Sequence, residues 1–399
     1  MKRLGSILLL LIGFLLVAEL GARAGMYLKH DYNLAYLLSP AVSFEESSGA
    51  PAKLLFKNEG TYTVVDPCTK RRIEFVINKD GGRGNWPTVK PAGAVRILAT
   101  GGSVTFGINN PAWATWPALL EQELRARGGP PVEVLNASAP SRRLKQINDL
   151  LPKQASRYDV DMAIFYETYS DAIVHRSDAG HVDVLTERFH TDSWIGRRLA
   201  PLYYRWSMLY TYLFERGLFL QSKGKPRVVP EIGPFQAQLR KFIRLIWEKG
   251  GTPVIVLQVT RLPTNPALQQ VDLKDSKTVE AAILKATGVA AGEPETSSAL
   301  QPVRAYQAQV LAEAARRVGE TDGVQVIDPR LAFARYEGSE ALFCDMVHLT
   351  DAGNRLLAQS IAGALKLEVD KLRRTGGAQH HEQQDHAGIG QPEGEARSL

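Results

Sequence analysis

Cysteine is almost missing from this chain: its 399 residues contain only two, Cys68 and Cys344. Two thiols cannot build the multi-bridge framework of a small secreted domain, nor a cysteine-rich zinc site. They leave two readings open, one disulfide in an oxidising compartment or a pair of buried free thiols. Charge of one sign is not concentrated either. The 48 Lys and Arg stand against 42 Asp and Glu, and the basic residues are scattered, so no nucleic-acid footprint and no nucleic-acid partner are expected. There is no internal repeat, which excludes solenoids and propellers. No metal-ligand spacing is present, and neither metal nor cofactor is expected. What remains is an ordinary globular composition, 44% hydrophobic and 23% charged, sufficient for a buried core in one large domain or two small ones.

Long apolar runs are scarce as well, and the one that exists is N-terminal. Lys2 and Arg3 precede an uncharged stretch from Leu4 to Ala18, and the apolar character continues past Glu19 to Ala22. Residues 1–25 therefore read as a signal peptide or a membrane anchor. Ala22-Arg23-Ala24 fits the small-x-small cleavage pattern, whereas a length near ~20 residues suits a bilayer span and favours an uncleaved anchor. In both cases the positive end stays inside and the bulk of the chain lies on the extracytoplasmic, periplasmic side of the inner membrane.

Residues 30–90 read as a β-rich extension. Thr61–Val65 and Arg72–Ile77 alternate as strands joined through Asp66-Pro67. From Val95 a regular alternation of strands and helices sets in. Strands are expected at 95–99, 132–135, 160–166, 253–257 and 324–327. Helices are expected at 116–127 and 142–151, before Gly250-Gly251, and from Thr350 or Asp351 onward. This alternation specifies an α/β fold, three layers with a five-stranded parallel sheet, over residues 91–370. Residues 175–230, with an aromatic helix near Tyr203–Tyr210, and the polar stretch 264–300 read as insertions, the latter flexible. The tail 376–399 is polar enough to be disordered. Active sites of such sheets lie at the carboxyl ends of the strands.

Ser103 stands there, in the turn Gly101-Gly102-Ser103 after the first strand of the alternation. By itself the triplet fits a nucleophile turn or a plain strand-to-loop turn. Asp345 and His348, in Asp345-Met346-Val347-His348, fall between the fifth strand and the last helix. Serine is a weak nucleophile at neutral pH and needs an imidazole to take its proton and a carboxylate to orient that imidazole. Such a base works only when neutral, so activity is expected to fall below about pH 6.5.

Two blocks carry a family resemblance. Gly101-Gly102-Ser103-Val104-Thr105-Phe106-Gly107 resembles the first signature block of the SGNH/GDSL hydrolases. Phe343-Cys344-Asp345-Met346-Val347-His348-Leu349-Thr350-Asp351-Ala352-Gly353-Asn354 resembles the last. The resemblance implies a flavodoxin-like sheet order and an ester-hydrolysing or acyl-transferring activity. It implies Ser103 as nucleophile, His348 as base and Asp345 as its orienter. The oxyanion is expected to face the backbone N–H of Ser103, Ser138 and Ser170. Ser138 stands where the family has glycine, and Ser170 where it has asparagine. Ser170 and Asp171 also fit a capping role after the third strand. The expected substrate is an acylated glycan or another ester. The membrane is engaged through the N-terminal helix. A glycan-binding module with weak catalysis is the alternative.

Overall fold

The computed structural model describes residues 2–29, 59–66, 68–128, 131–140, 142–172, 209, 228–288 and 297–387. Of the insertion expected at 175–230, with its aromatic helix, all but residues 209 and 228–230 lies outside the described residues. The chain divides into two units. In the first (Met1–Lys57, Ile173–Arg227 and Ala290–Glu295) the described element is helix α1, Lys2–Lys29. Its segment Gly5–Gly25 has a mean hydropathy of 2.3 and is long and apolar enough to cross a membrane. Leu9, Leu10, Phe14 and Val17 are exposed on it.

The second unit (Asn58–Ala172, Val228–Val289 and Thr296–Leu399) opens with an antiparallel hairpin, β1 (Gly60–Val65) and β2 (Arg72–Ile77), in the register Gly60 to Ile77. The main sheet follows: β3 (Val95–Gly101), β4 (Val132–Asn136), β5 (Met162–Tyr166), β6 (Thr252–Val256) and β7 (Gln325–Ile327). All its pairings are parallel, and its order is β4-β3-β5-β6-β7. From β3 the chain builds outward to β4, then returns to the other side of β3 to add β5, β6 and β7. The order thus reverses between β3 and β5, the place where a doubly wound sheet opens a crevice at its carboxyl edge.

Both faces of the sheet are buried, so its central strands are apolar throughout rather than alternating. Leu98, Phe165 and Ile255 face one helical layer: α4 (Leu144–Tyr158), α6 (Ile232–Trp247) and α9 (Ser297–Asp322). Ile97, Ile164 and Val254 face the other, α3 (Trp116–Ala126) and α11 (Asp351–Ala387). On α6 the spacing of Phe235, Leu239, Phe242, Ile243 and Ile246 puts one stripe against the sheet, as its sequence required. Short helices complete the unit: α2 (Ser103–Phe106), α5 (Tyr169–Ala172), α7 (Pro266–Gln270), α8 (Ser276–Thr287) and α10 (Arg330–Ala334).

Two expectations differ from what is observed. The stretch 264–300 is not a structureless excursion: α7, α8 and the start of α9 occupy most of its described part. Its polar residues include caps. The side chains of Asn265 and Asp275 accept from the amides of Ala267 and Lys277, and Leu268, Val279 and Ile283 are buried behind them. Nor does the chain lose order at Gly376, because α11 continues to Ala387. Once a helix is nucleated, each further residue adds a hydrogen bond, and the helix runs on past Gly376-Gly377.

Candidate active site

Ser103, Asp345 and His348 come from opposite ends of the second unit and meet at the carboxyl edge of the sheet. Ser103 opens α2 directly after β3, and its Oγ lies 2.8 Å from Nε2 of His348. Nδ1 of His348 lies 2.6 Å from Oδ2 of Asp345. The other carboxylate oxygen, Oδ1, accepts from the backbone N–H of Val347 (2.9 Å) and of His348 (2.8 Å). Aspartate readily closes such local turns, and this one aims the carboxylate at its own imidazole three residues on. Burial raises the Asp345 pKa. The His348 side chain and the two amides outweigh it and hold the carboxyl at about 2. Asp345 is therefore an anion throughout the neutral range, able to stabilise an imidazolium.

The loop carrying Asp345 and His348 is closed on itself. Cys344 N–H donates to His348 O (2.8 Å), Phe343 bridges Leu349, and Thr350 N–H donates to Leu342 O (3.0 Å). Thr350 Oγ1 accepts from Gly353 N–H and so caps α11, as its sequence foretold. Cys344 is bonded to Cys68 across a Cα–Cα distance of 5.8 Å, which decides between the two readings of the thiols. The disulfide pins the residue before Asp345 to the hairpin turn.

Behind Ser103 the two glycines are required by close approach. A Cβ on Gly101 would sit 2.5 Å from Tyr166 O. One on Gly102 would sit 2.0 Å from Oε2 of Glu167. The glycines thus admit the end of β5 against the turn that carries Ser103.

The expected oxyanion partners are near this turn, but both hydroxyls are engaged. Ser138 is fully buried, and its Oγ and N–H both point to Oδ1 of Asn136, the amide at 3.4 Å. Ala139 N–H reaches Gly101 O at 3.4 Å, which sets Ser138 one residue from the nucleophile turn. Ser170 N–H donates to Oε1 of Glu167 at 2.7 Å, and its hydroxyl bonds the same carboxyl. Asp171 does cap, although not its own turn: Oδ2 accepts from Leu144 N–H at 2.9 Å, at the start of α4.

Further buried residues complete the site. Glu167 is buried behind Gly102, and burial pushes its carboxyl up to about 7 against the hydrogen bonds from Ser170 and Gly102. The same cause takes Asp171 to about 7. Gln258 Oε1 accepts from the N–H of Thr168 (2.7 Å) and Tyr169 (2.8 Å), fixing the loop into α5. Asn354, fully buried, donates to Asn110 Oδ1 (3.1 Å) and accepts from Trp116 N–H (3.0 Å), joining the strand–helix loop after Ser103 to the helix after His348. Arg83 donates to the carbonyls of Phe106 (2.5 Å), Gly107 (2.6 Å) and Asn110 (2.7 Å), tying the segment after β2 to the same loop.

This arrangement has the form needed for attack by a serine hydroxyl on an ester carbonyl. Residues 99–356, well over half of the chain, match the GDSL-like lipase/acylhydrolase family. The chain belongs to that family. As a GDSL-like hydrolase it acts on ester bonds, and its five-stranded parallel sheet with flanking helices is the fold of the family. No curated protein matches it. Among solved structures it is similar to a lipase/acylhydrolase from Enterococcus faecalis (14% identity, 69% of this chain and 96% of that one, TM-score 0.38). It is also similar to an alpha/beta hydrolase from the metagenome of Lake Arreo, Spain (13%, 68% and 94%, 0.39). A third is an acetylxylan esterase from Geobacillus stearothermophilus (12%, 68% and 94%, 0.37).

Proposed function

We propose that this GDSL-like hydrolase is an exported, membrane-anchored esterase or O-acyltransferase. It cleaves or transfers a small O-acyl group, acetyl above all, on a glycan of the cell envelope or an exported glycan. The observation that carries the catalytic part is the hydrogen-bonded chain Ser103 Oγ–His348 Nε2 and His348 Nδ1–Asp345. In this reading Ser103 Oγ attacks the acyl carbonyl while His348 takes its proton. The backbone N–H of Ser103, with the groups at Ser138 and Ser170, faces the oxyanion. His348 then returns the proton to the departing sugar hydroxyl, leaving an acyl-Ser103 ester. Water resolves that ester by hydrolysis, or an acceptor hydroxyl by transfer.

Export and anchoring rest on α1 and on the Cys68–Cys344 disulfide, which suits an oxidising compartment. The glycan and the acetyl group follow from that compartment together with the family. A second reading has a specific observation behind it: the hydroxyls of Ser138 and Ser170 are turned to Asn136 and Glu167. Loss of one oxyanion donor costs ~10²–10³ in rate. A protein lacking two would serve as a glycan-binding or assembly component of the envelope.

A fluorophosphonate serine-hydrolase probe separates the two. Labelling of the wild type that disappears in Ser103→Ala supports the enzyme. A folded wild type that takes no label supports the binding component and removes the acyl-enzyme route.

A further inference from the structure

Glu167 is a buried acid that neither base nor nucleophile touches, yet it stands between two parts of the site. Its Oε1 accepts the Ser170 amide at 2.7 Å. Its Oε2 lies where a Cβ of Gly102 would be, and the Ser170 Oγ is 2.9 Å from that same point. The carboxyl therefore bridges the turn that presents Ser103 and the residue that replaces the oxyanion asparagine of the family. A carboxylate accepts hydrogen bonds only, so an ionised Glu167 keeps the Ser170 hydroxyl proton pointed at itself. A neutral carboxyl has an O–H to give.

We propose that Glu167 is the positioning residue of the oxyanion side: in its neutral form it donates to Ser170 Oγ and turns the Ser170 hydroxyl proton toward the oxyanion beside Ser103. The proton stays on Glu167 throughout the cycle, and no net transfer occurs through it. The proposal rests on Ser103 being the nucleophile and adds the pH range in which its transition state is stabilised.

The environment fits. Glu167 is fully buried, with its carboxyl pushed up to about 7. The titratable groups facing it are Asp171 and Tyr169 on α5 and Tyr166 at the end of β5. Asp171 adds a like charge, while Arg143, at the start of α4, acts on Asp171 instead. Such a site favours the neutral acid.

The test is the pH dependence of kcat for p-nitrophenyl acetate, measured from pH 5 to 9 on the full chain. Wild type is expected to fall above about pH 7. Glu167→Gln keeps a permanent donor to Ser170 Oγ through its amide, so its alkaline fall disappears and it exceeds wild type ~10-fold or more at pH 9. Ser170→Ala loses ~10-fold or more in kcat below pH 7, with KM little changed, and matches wild type at pH 9. A uniform loss in Glu167→Gln with the alkaline fall retained overturns the proposal. So does a wild-type profile in Ser170→Ala, the variant that decides if Glu167→Gln does not fold. Ser103→Ala run beside them separates the premises. Turnover that survives in it overturns the nucleophile, and this proposal with it. Turnover lost in Ser103→Ala with an unaltered profile in Ser170→Ala overturns only the role of Glu167.

Discussion

Asp345 divides two tasks between two oxygens: Oδ1 holds its own loop through the Val347 and His348 amides, and Oδ2 holds the imidazole. Replacement by Asn leaves an acceptor for the amides but presents the imidazole with a group that favours the wrong tautomer. Asp345→Asn is expected to lower kcat for a small ester by ~10³–10⁴ with little change in KM, read from steady-state kinetics at pH 7. Because the folded pKa of Asp345 is held down at about 2, its stabilising contribution is present above pH 4 and is lost as pH falls through about 2. The melting-temperature gap between wild type and Asp345→Asn is thus expected to close as pH falls from about 4 toward 2. Glu167 and Asp171 have the opposite sign. Their raised folded values mean that their stability is complete below about pH 4 and is lost as pH rises through about 7. Melting of Asp171→Asn, compared with wild type from pH 5 to 9, is expected to show a relative gain on the alkaline side. Ser103, Asp345 and His348 were legible because their chemistry fixes residue type and order along the chain. Glu167 was not, since an acid following an apolar strand carries no pattern until folding places Gly102 against it.

The hairpin β1–β2 and the loop between β7 and α11 support each other through Cys68–Cys344 and through Arg71, whose guanidinium is 3.2 Å from Asp351. The disulfide closes a loop of 276 residues, and its bonded neighbour in sequence is Asp345. Its removal in a Cys68→Ser/Cys344→Ser variant is expected to cost about 2–4 kcal/mol in denaturant unfolding. The same variant loses activity before it unfolds, because the Asp345 loop is released. Gly102 tests the neighbouring element. Gly102→Ala drives a methyl into Glu167 and is expected to cost about 1–3 kcal/mol along with most of the activity, checked by urea melts and ester turnover. The hairpin strands were readable from their alternation. Their use was not, because Arg83 lies in a glycine-rich turn and acquires its three carbonyl acceptors only from the loop after Ser103. The helices between 264 and 322 were underread for a related reason: their polar residues cap and face water, and only the sheet reveals which few apolar ones are covered.

At the scale of the whole molecule, α1 is long and apolar enough to cross a membrane. Its exposed Leu and Phe side chains satisfy no packing requirement among the described residues. Full-length protein is expected to stay in the membrane fraction after alkaline carbonate washing. A chain lacking residues 2–29 is expected to be released while keeping its ester turnover. Protease protection in spheroplasts then reports the side on which the second unit lies.

Local pattern alone determined a good deal: the parallel α/β class, the strand–helix order, the apolar N-terminal helix, and Ser103, His348 and Asp345 as the residues proposed for catalysis, by residue type. These are consequences of periodicity and of reactive chemistry, which are written in short stretches of chain. Tertiary structure alone decided the pairing of Cys68 with Cys344, the need for Gly101 and Gly102, and the direction of the Ser138 and Ser170 hydroxyls. It also placed Glu167 behind Gly102. Those outcomes depend on which atoms of distant segments come within about 3 Å, a distance set by how the sheet and its helices pack.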